Sequence, residues 1–167
     1  MKSLHILHSE SASGWGGQEI RVFQESELLL ERGHRVSLIC QPDSFLWNKC
    51  QTITSSDFNL YPLRMKNPAN PFSLASVLKI LNKTKPDIIH THSSIDSWLV
   101  GSASKLLGLP VVRSRHISIP IKGVFPNNLL YSKIPRKIIT SGEAISDIVK
   151  SVSGVKAKNV KSVSAGV

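Results

Sequence analysis

Histidines collect where short apolar runs end. His90 and His92 flank Thr91, and His116 follows Val111–Ser114 beside Arg113 and Arg115. An i, i+2 spacing puts His90 and His92 on one face of an extended strand. Three imidazoles and an acid can hold a metal ion. No His-x-x-x-His or cysteine pair accompanies these, and Asp96 is the only nearby acid, so no metal ligand set is assigned. The adjacent guanidinium groups favour a neutral His116, which suits accepting a hydrogen bond from a substrate hydroxyl.

A second cluster is the turn Gly14-Trp15-Gly16-Gly17-Gln18-Glu19, which follows the apolar run Leu4–His8. Glycines there let helix-start N–H groups approach a ligand closely, phosphate above all. The same turn also serves simply as a sharp strand-to-helix corner. A dinucleotide fingerprint needs Gly-x-Gly-x-x-Gly and an acid about twenty residues on. Gly14 and Gly16 fit, but the third position is Glu19 and Asp43 comes late, which disfavours a nicotinamide cofactor. With no Gly-Lys-Ser/Thr, a P-loop is excluded.

The elements that position these groups alternate. Strands are expected at Leu4–His8, Arg35–Cys40, Leu60–Leu63, Asp87–His92, Val111–Ser114, Lys137–Thr140 and, at an edge, Val160–Val163. Helices are expected at Gln18–Arg32, with Ile20, Phe23, Leu28 and Leu30 as its apolar set, and at Ser73–Lys85, Asp96–Leu107 and Gly142–Val152. Short helices fit Ser44–Cys50 and Asn127–Lys133, and Ile117–Phe125 reads as loop. Gly33 and Gly108 stand at helix stops. Strands alternating with helices predict an α/β fold: a Rossmann-like, doubly wound, mainly parallel sheet of about six or seven strands. Ligands of such sheets bind beyond the carboxyl ends of the strands.

Composition sets bounds. The 167 residues suffice for one domain with a sizeable core. No apolar run is long enough for a transmembrane helix, and the N-terminus lacks the pattern of a secretory signal. Cys40 and Cys50 form no disulfide framework; two reduced thiols are expected, with a bridge between them left open. The net charge of +10 favours an anionic partner. From Pro110 onward ten Lys and Arg, Lys122 among them, face only Glu143 and Asp147. The plain reading of this excess is a solvated basic face kept for solubility. Without interleaved aromatic residues it gives no case for nucleic acid.

Several segments taken together resemble the N-terminal half of a GT-B glycosyltransferase. They are Gly16-Gly17-Gln18-Glu19 after the first strand, Lys85-Pro86-Asp87-Ile88-Ile89-His90-Thr91-His92, and Gly108-Leu109-Pro110-Val111-Val112-Arg113-Ser114-Arg115-His116. Ile138-Ile139-Thr140-Ser141-Gly142-Glu143-Ala144 and Val163-Ser164-Ala165-Gly166-Val167 continue the likeness. The closest similarity is to the large retaining family of lipopolysaccharide-core, phosphatidylinositol-mannose and sucrose-type transferases.

The resemblance implies two Rossmann-like domains facing a cleft. Residues 1–167 would be the acceptor-side domain, and the nucleotide-sugar domain with its Glu-x7-Glu signature would lie outside them. Glu19 and Glu27 share that spacing by coincidence, on a different helix. The segment that crosses to the second domain reads Ser164-Ala165 where the family has Pro-Asn. The carried-over roles are His116 as the catalytic sugar contact, Gly16 and Gly17 under the donor phosphates or sugar, and Gln18, Glu19, His92 and Arg115 on the acceptor. No metal or resident cofactor is implied; the nucleotide-sugar is a substrate.

The function expected is that of an acceptor-binding domain of a transferase acting on a glycolipid or oligosaccharide in cell-envelope polysaccharide synthesis, inactive alone. It would be cytoplasmic, peripheral at the inner membrane face through Ile119, Ile121, Val124, Phe125, Leu129 and Leu130 beside lysines. The alternatives are a non-enzymatic binding module for a phosphorylated ligand or partner and an NAD-dependent dehydrogenase.

Overall fold

The computed structural model describes residues 2–121 and 124–164. In chain order the elements are β1 (His5–Glu10), α1 (Gly17–Glu31), β2 (Arg35–Cys40), α2 (Phe45–Cys50), β3 (Phe58–Pro62), α3 (Pro71–Thr84) and β4 (Ile88–Thr91). Next come α4 (Ser94–Asp96), a π turn (Ser97–Gly101), α5 (Ser102–Leu106) and β5 (Val111–Arg115). The chain ends with α6 (Leu129–Ser132), β6 (Lys137–Thr140), α7 (Glu143–Lys150), a 3-10 turn (Ala157–Asn159) and β7 (Val160–Ser162).

Local chemistry sets the helix ends. Asn70 accepts from the Phe72 and Ser73 amides at 2.9 and 3.4 Å, with Pro71 in the first turn, so α3 starts there. Ser44 caps α2 by accepting from the Trp47 amide at 3.0 Å. Gly33 takes φ +77° just past α1, a left-handed position that glycine adopts without strain.

Seven strands form one all-parallel sheet in the order β3-β2-β1-β4-β5-β6-β7. The α/β Rossmann-like expectation holds, and β2 and β6 have the expected ends. Winding runs from β1 out to β3, then returns to β4 on the other side of β1. The crevice beyond the carboxyl ends of β1 and β4 is therefore the switch point where such sheets bind ligands.

One sheet face buries Leu7, Ile89 and Val111 under Val77 and Leu81 of α3 and Leu99, Val100 and Ala103 of the 94–106 rod. The other carries Leu38 and Cys40 under Val22 of α1 and Leu46 and Cys50 of α2.

Three expectations need correction. The rod from Ser94 to Leu106 contains a five-residue π turn rather than running as one α-helix from Asp96. The apolar set assigned to α1 is only partly its inner face: Ile20 is 36% and Leu28 47% exposed, whereas Phe23 packs on the core beside the buried Val22 and Ser26. Ser26 is accommodated because its hydroxyl donates to the Val22 carbonyl at 2.8 Å. Third, the basic half is not all solvated, since Arg113 and Arg115 are buried.

Cys40 and Cys50 are free, buried thiols, and burial pushes both pKa values up to about 12. Among the described residues no helix is long and apolar enough to cross a membrane. Lys122 and, from Ala165 on, the crossing segment lie outside the described residues.

Candidate functional site at the carboxyl rim of the sheet

The turn after β1 is held by its own acids. Glu10 is fully buried and accepts from the Ala12 amide at 2.8 Å and from the Gln18 side-chain amide at 2.5 Å. Glu19 reaches back one turn and accepts from the Gly16 amide at 2.7 Å, which closes the N-terminus of α1. Gly17 stays open, with no atom within 4 Å of where a Cβ would stand.

His8 of β1 pairs in register with His90 of β4. His8 Nδ1 and His92 Nε2 share a hydrogen bond of 3.0 Å, and His90 Nε2 meets Ser114 Oγ at 2.7 Å. The rings form a column, with centroids 4.2 Å apart for His90–His92 and 6.3 Å for His92–His116. From α1, Glu25 lies 3.7 Å from His90 Nδ1 and takes the Arg21 guanidinium at 2.9 Å.

Burial holds these imidazoles neutral. His8 and His90 are lowered to about 3, by desolvation first and neighbouring histidines second. His92 is lowered well below 6.5 for the same reasons. His116 is also lowered, by burial and then by Arg21, against an opposing pull from Glu25 and Glu19. The sequence assigned that effect to Arg113 and Arg115; the cation responsible comes from α1.

One ligand atom each from His8, Glu25, His90 and His92 lies within 4.8 Å of the others. The acid beside the histidines is therefore Glu25, and Asp96 is engaged elsewhere. The Arg21 pair uses Glu25 Oε1 and leaves Oε2 toward His90, while His8 Nε2 and His92 Nδ1 are buried without a partner.

Asp96 is fully buried and accepts from the Ser9 hydroxyl, the His92 and Ser93 amides and the Ser93 hydroxyl at 2.6–2.9 Å. Burial raises the pKa values of both Asp96 and Glu10, and Asp96 raises that of Glu10 further.

A cavity of about 500 Å³ opens on this rim, lined by Gly17, Arg21, Gln24, Glu25, Leu28, His116 and Ser141. Gly17 and His116 thus face one space, although 99 positions separate them in the chain. Gly16 sits beside it at the helix cap. The other proposed residues do not converge on it: Gln18 is tied to Glu10, Glu19 to Gly16, and His92 lies buried behind His116. Arg115, the last residue of β5, turns away to Tyr131 and lines a different cavity.

Sequence reasoning missed Arg21, Glu25 and Ser141. An i, i+4 Arg–Glu pair on a helix was the available signal for the first two.

Residues 15–167 match Glycosyltransferase Family 4. The chain belongs to that family. A Family 4 match over this span agrees with a curated relative from Escherichia coli, "UDP-Gal:alpha-D-GlcNAc-diphosphoundecaprenol alpha-1,3-galactosyltransferase". The two are 33% identical over 119 residues, 67% of this chain and 30% of the relative. Among solved structures, a glycosyltransferase from Rickettsia africae superposes at a TM-score of 0.79 and 20% identity, covering 100% of this chain and 44% of its own. HepE from Anabaena, solved with UDP-glucose, superposes at 0.77 and 15% identity, covering 98% and 44%. This Family 4 chain therefore spans less than half the length of each relative, and its sheet is one Rossmann-like lobe of the GT-B architecture.

Proposed function

We propose that this chain is the acceptor-side lobe of a nucleotide-sugar-dependent glycosyltransferase, acting with a second Rossmann-like lobe that holds the donor. The observation that carries this reading is the meeting of Gly17 and His116 at one rim cavity. The acceptor is a glycolipid or oligosaccharide, as the name of the Escherichia coli relative suggests. Transfer occurs on the front side of the sugar, with retention, and no residue of this lobe serves as nucleophile.

His116 is the catalytic residue of this half. Its Nε2 is buried without a protein partner, and its neutral ring accepts a hydrogen bond from a sugar hydroxyl. The first-turn amide of α1 at Gly17 offers its dipole to the donor phosphates or to the sugar, while Gly16, its amide taken by Glu19, shapes the turn beside it. His92 acts behind His116 as its packing support, and Gln18 and Glu19 hold the turn after β1 in shape through Glu10 and Gly16. One open lobe leaves the departing diphosphate exposed to water. Electrostatic stabilisation there requires the cleft to be closed.

The lobe works on the cytoplasmic face of a membrane. The exposed side chains of Ile117, Ile119, Val124 and Phe125 beside a basic half support that placement.

The test is sugar transfer from UDP-hexoses to a lipid-linked acceptor, by this chain alone and by the enzyme complete with its donor lobe. Transfer is expected only from the complete enzyme. Turnover by the isolated lobe overturns the division of labour, and full activity in a complete His116→Ala enzyme overturns the role of His116.

A further inference from the structure

Arg113 and Arg115 follow Val111 at every second position of β5, on one sheet face, and turn together toward Tyr131. They are 2% and 9% exposed. Their guanidinium carbons lie 4.6 and 5.7 Å from the Tyr131 ring centroid, and both donate to its hydroxyl, at 3.3 and 2.8 Å. The remaining contacts are neutral: Arg113 reaches the Ser93 carbonyl and Ser94 hydroxyl at 3.4 Å, and Arg115 reaches the Ile119 carbonyl. The Nε atoms of both are buried without a partner.

Among the described residues no carboxylate comes within 4.0 Å of either guanidinium. Asp96 lies within electrostatic reach of Arg113, but four other donors already occupy its oxygens. Two buried cations held by neutral acceptors are costly unless an anion completes them. The long 3.3–3.4 Å contacts leave guanidinium hydrogens free to turn to such an anion.

Beside them is a cavity of about 340 Å³, separate from the one at His116, whose lining includes Arg115, Tyr131, Ser94, Asn127, Ile117 and Ile119. The two isoleucines are 51% and 65% exposed, so apolar surface adjoins a buried double positive charge. Two planar guanidinium forks match the several oxygens of a diphosphate better than a single carboxylate.

We propose that Arg115 and Tyr131, backed by the buried charge of Arg113, form the subsite for the diphosphate of a lipid-linked acceptor, whose isoprenoid-like chain leaves along Ile117 and Ile119. This rests on the acceptor-side reading above.

Calorimetric titration of the chain with farnesyl diphosphate, farnesol, inorganic pyrophosphate and UDP tests the subsite. Farnesyl diphosphate is expected to bind at least tenfold more tightly than any of the other three. Arg115→Met should weaken it at least tenfold, and Tyr131→Phe, which keeps the ring, severalfold. If Arg115→Met fails to fold, Arg115→Lys replaces it, with the same loss expected because the fork is gone.

Equal binding of farnesyl diphosphate and farnesol overturns the proposal, as does an Arg115 variant that folds and binds like wild type. Pyrophosphate or UDP binding as tightly as farnesyl diphosphate leaves a plain anion site and overturns the lipid assignment. Tight, Arg115-dependent binding without any sugar transfer by the complete enzyme sinks the transferase reading while the subsite stands. Transfer with an acceptor KM that Arg115→Met does not move sinks the subsite alone.

Discussion

The imidazoles of His92 and His116 lie nearly parallel, with ring planes 10° apart and centroids 6.3 Å apart. One ring is buried and hydrogen-bonded to His8; the other lines the rim cavity. His116 leaves the sheet on a loop, and the column behind it fixes where that loop begins. A group that must meet a substrate is thereby backed by side chains that cannot shift without breaking the sheet interior.

His116→Ala should separate chemistry from stability. In the complete enzyme kcat is expected to fall roughly 100-fold, the scale of losing one well-placed hydrogen-bonding group. The melting temperature of the chain should move little, because the ring is only half-buried. Steady-state kinetics and thermal melts give the two values. A lower melting temperature with unchanged kcat would show His116 to be a structural residue.

The histidine column makes the fold sensitive to acid. His8 and His90 keep pKa values of about 3 in the native chain against 6.5 when unfolded. Below pH 6.5 the unfolded chain takes up protons that the native state refuses, so stability falls toward pH 3 by about 1.4 kcal/mol per pH unit for each such histidine. Urea titrations between pH 7 and pH 4 should show that fall. His90→Gln should make the dependence shallower by about one proton.

Glu10 acts in the opposite direction. Its pKa is raised to about 8 from 4.5, by burial and then by Asp96. Its contribution is complete below pH 4.5 and is lost as pH rises through about 8. The Glu10→Gln variant keeps the acceptor for the Ala12 amide and removes the titration. It is expected to match wild type near pH 5 and to exceed it in stability at pH 8, as read from denaturation midpoints at both values.

Gly101 packs the π turn onto the sheet. A Cβ there would stand 2.9 Å from Ile134 Cγ2 and 3.8 Å from Thr91 and Val111 side-chain atoms. The Ile134 methyl sits on a stiff β-branched carbon and yields little. Gly101→Val should therefore cost about 3 kcal/mol, the upper end of overpacking in a filled core. Calorimetric unfolding measures it. A loss under 1 kcal/mol would mean that the rod slides freely over β4 and β5.

The strand–helix alternation was legible in the sequence because each of its signals is local. The run Arg35–Cys40 is rich in Val, Leu and Ile, and Gly33 and Gly108 end helices, all within a few residues. The rim location of Gly17 and His116 followed from the same pattern, since parallel strands leave their carboxyl ends on one edge.

Which side chains meet was decided only by tertiary structure. The rotation of α1 is set by packing Val22 on the sheet, and that rotation delivers Arg21 and Glu25 to the histidines while turning Leu28 outward. Gln18 and Glu19 read as free ligand-binding groups, yet the buried Glu10 and the bare helix start claimed them. Tyr131 reached Arg113 and Arg115 through a long connection whose path no periodicity encodes. Periodicity follows from the chain's own geometry, whereas partners follow from how its layers close.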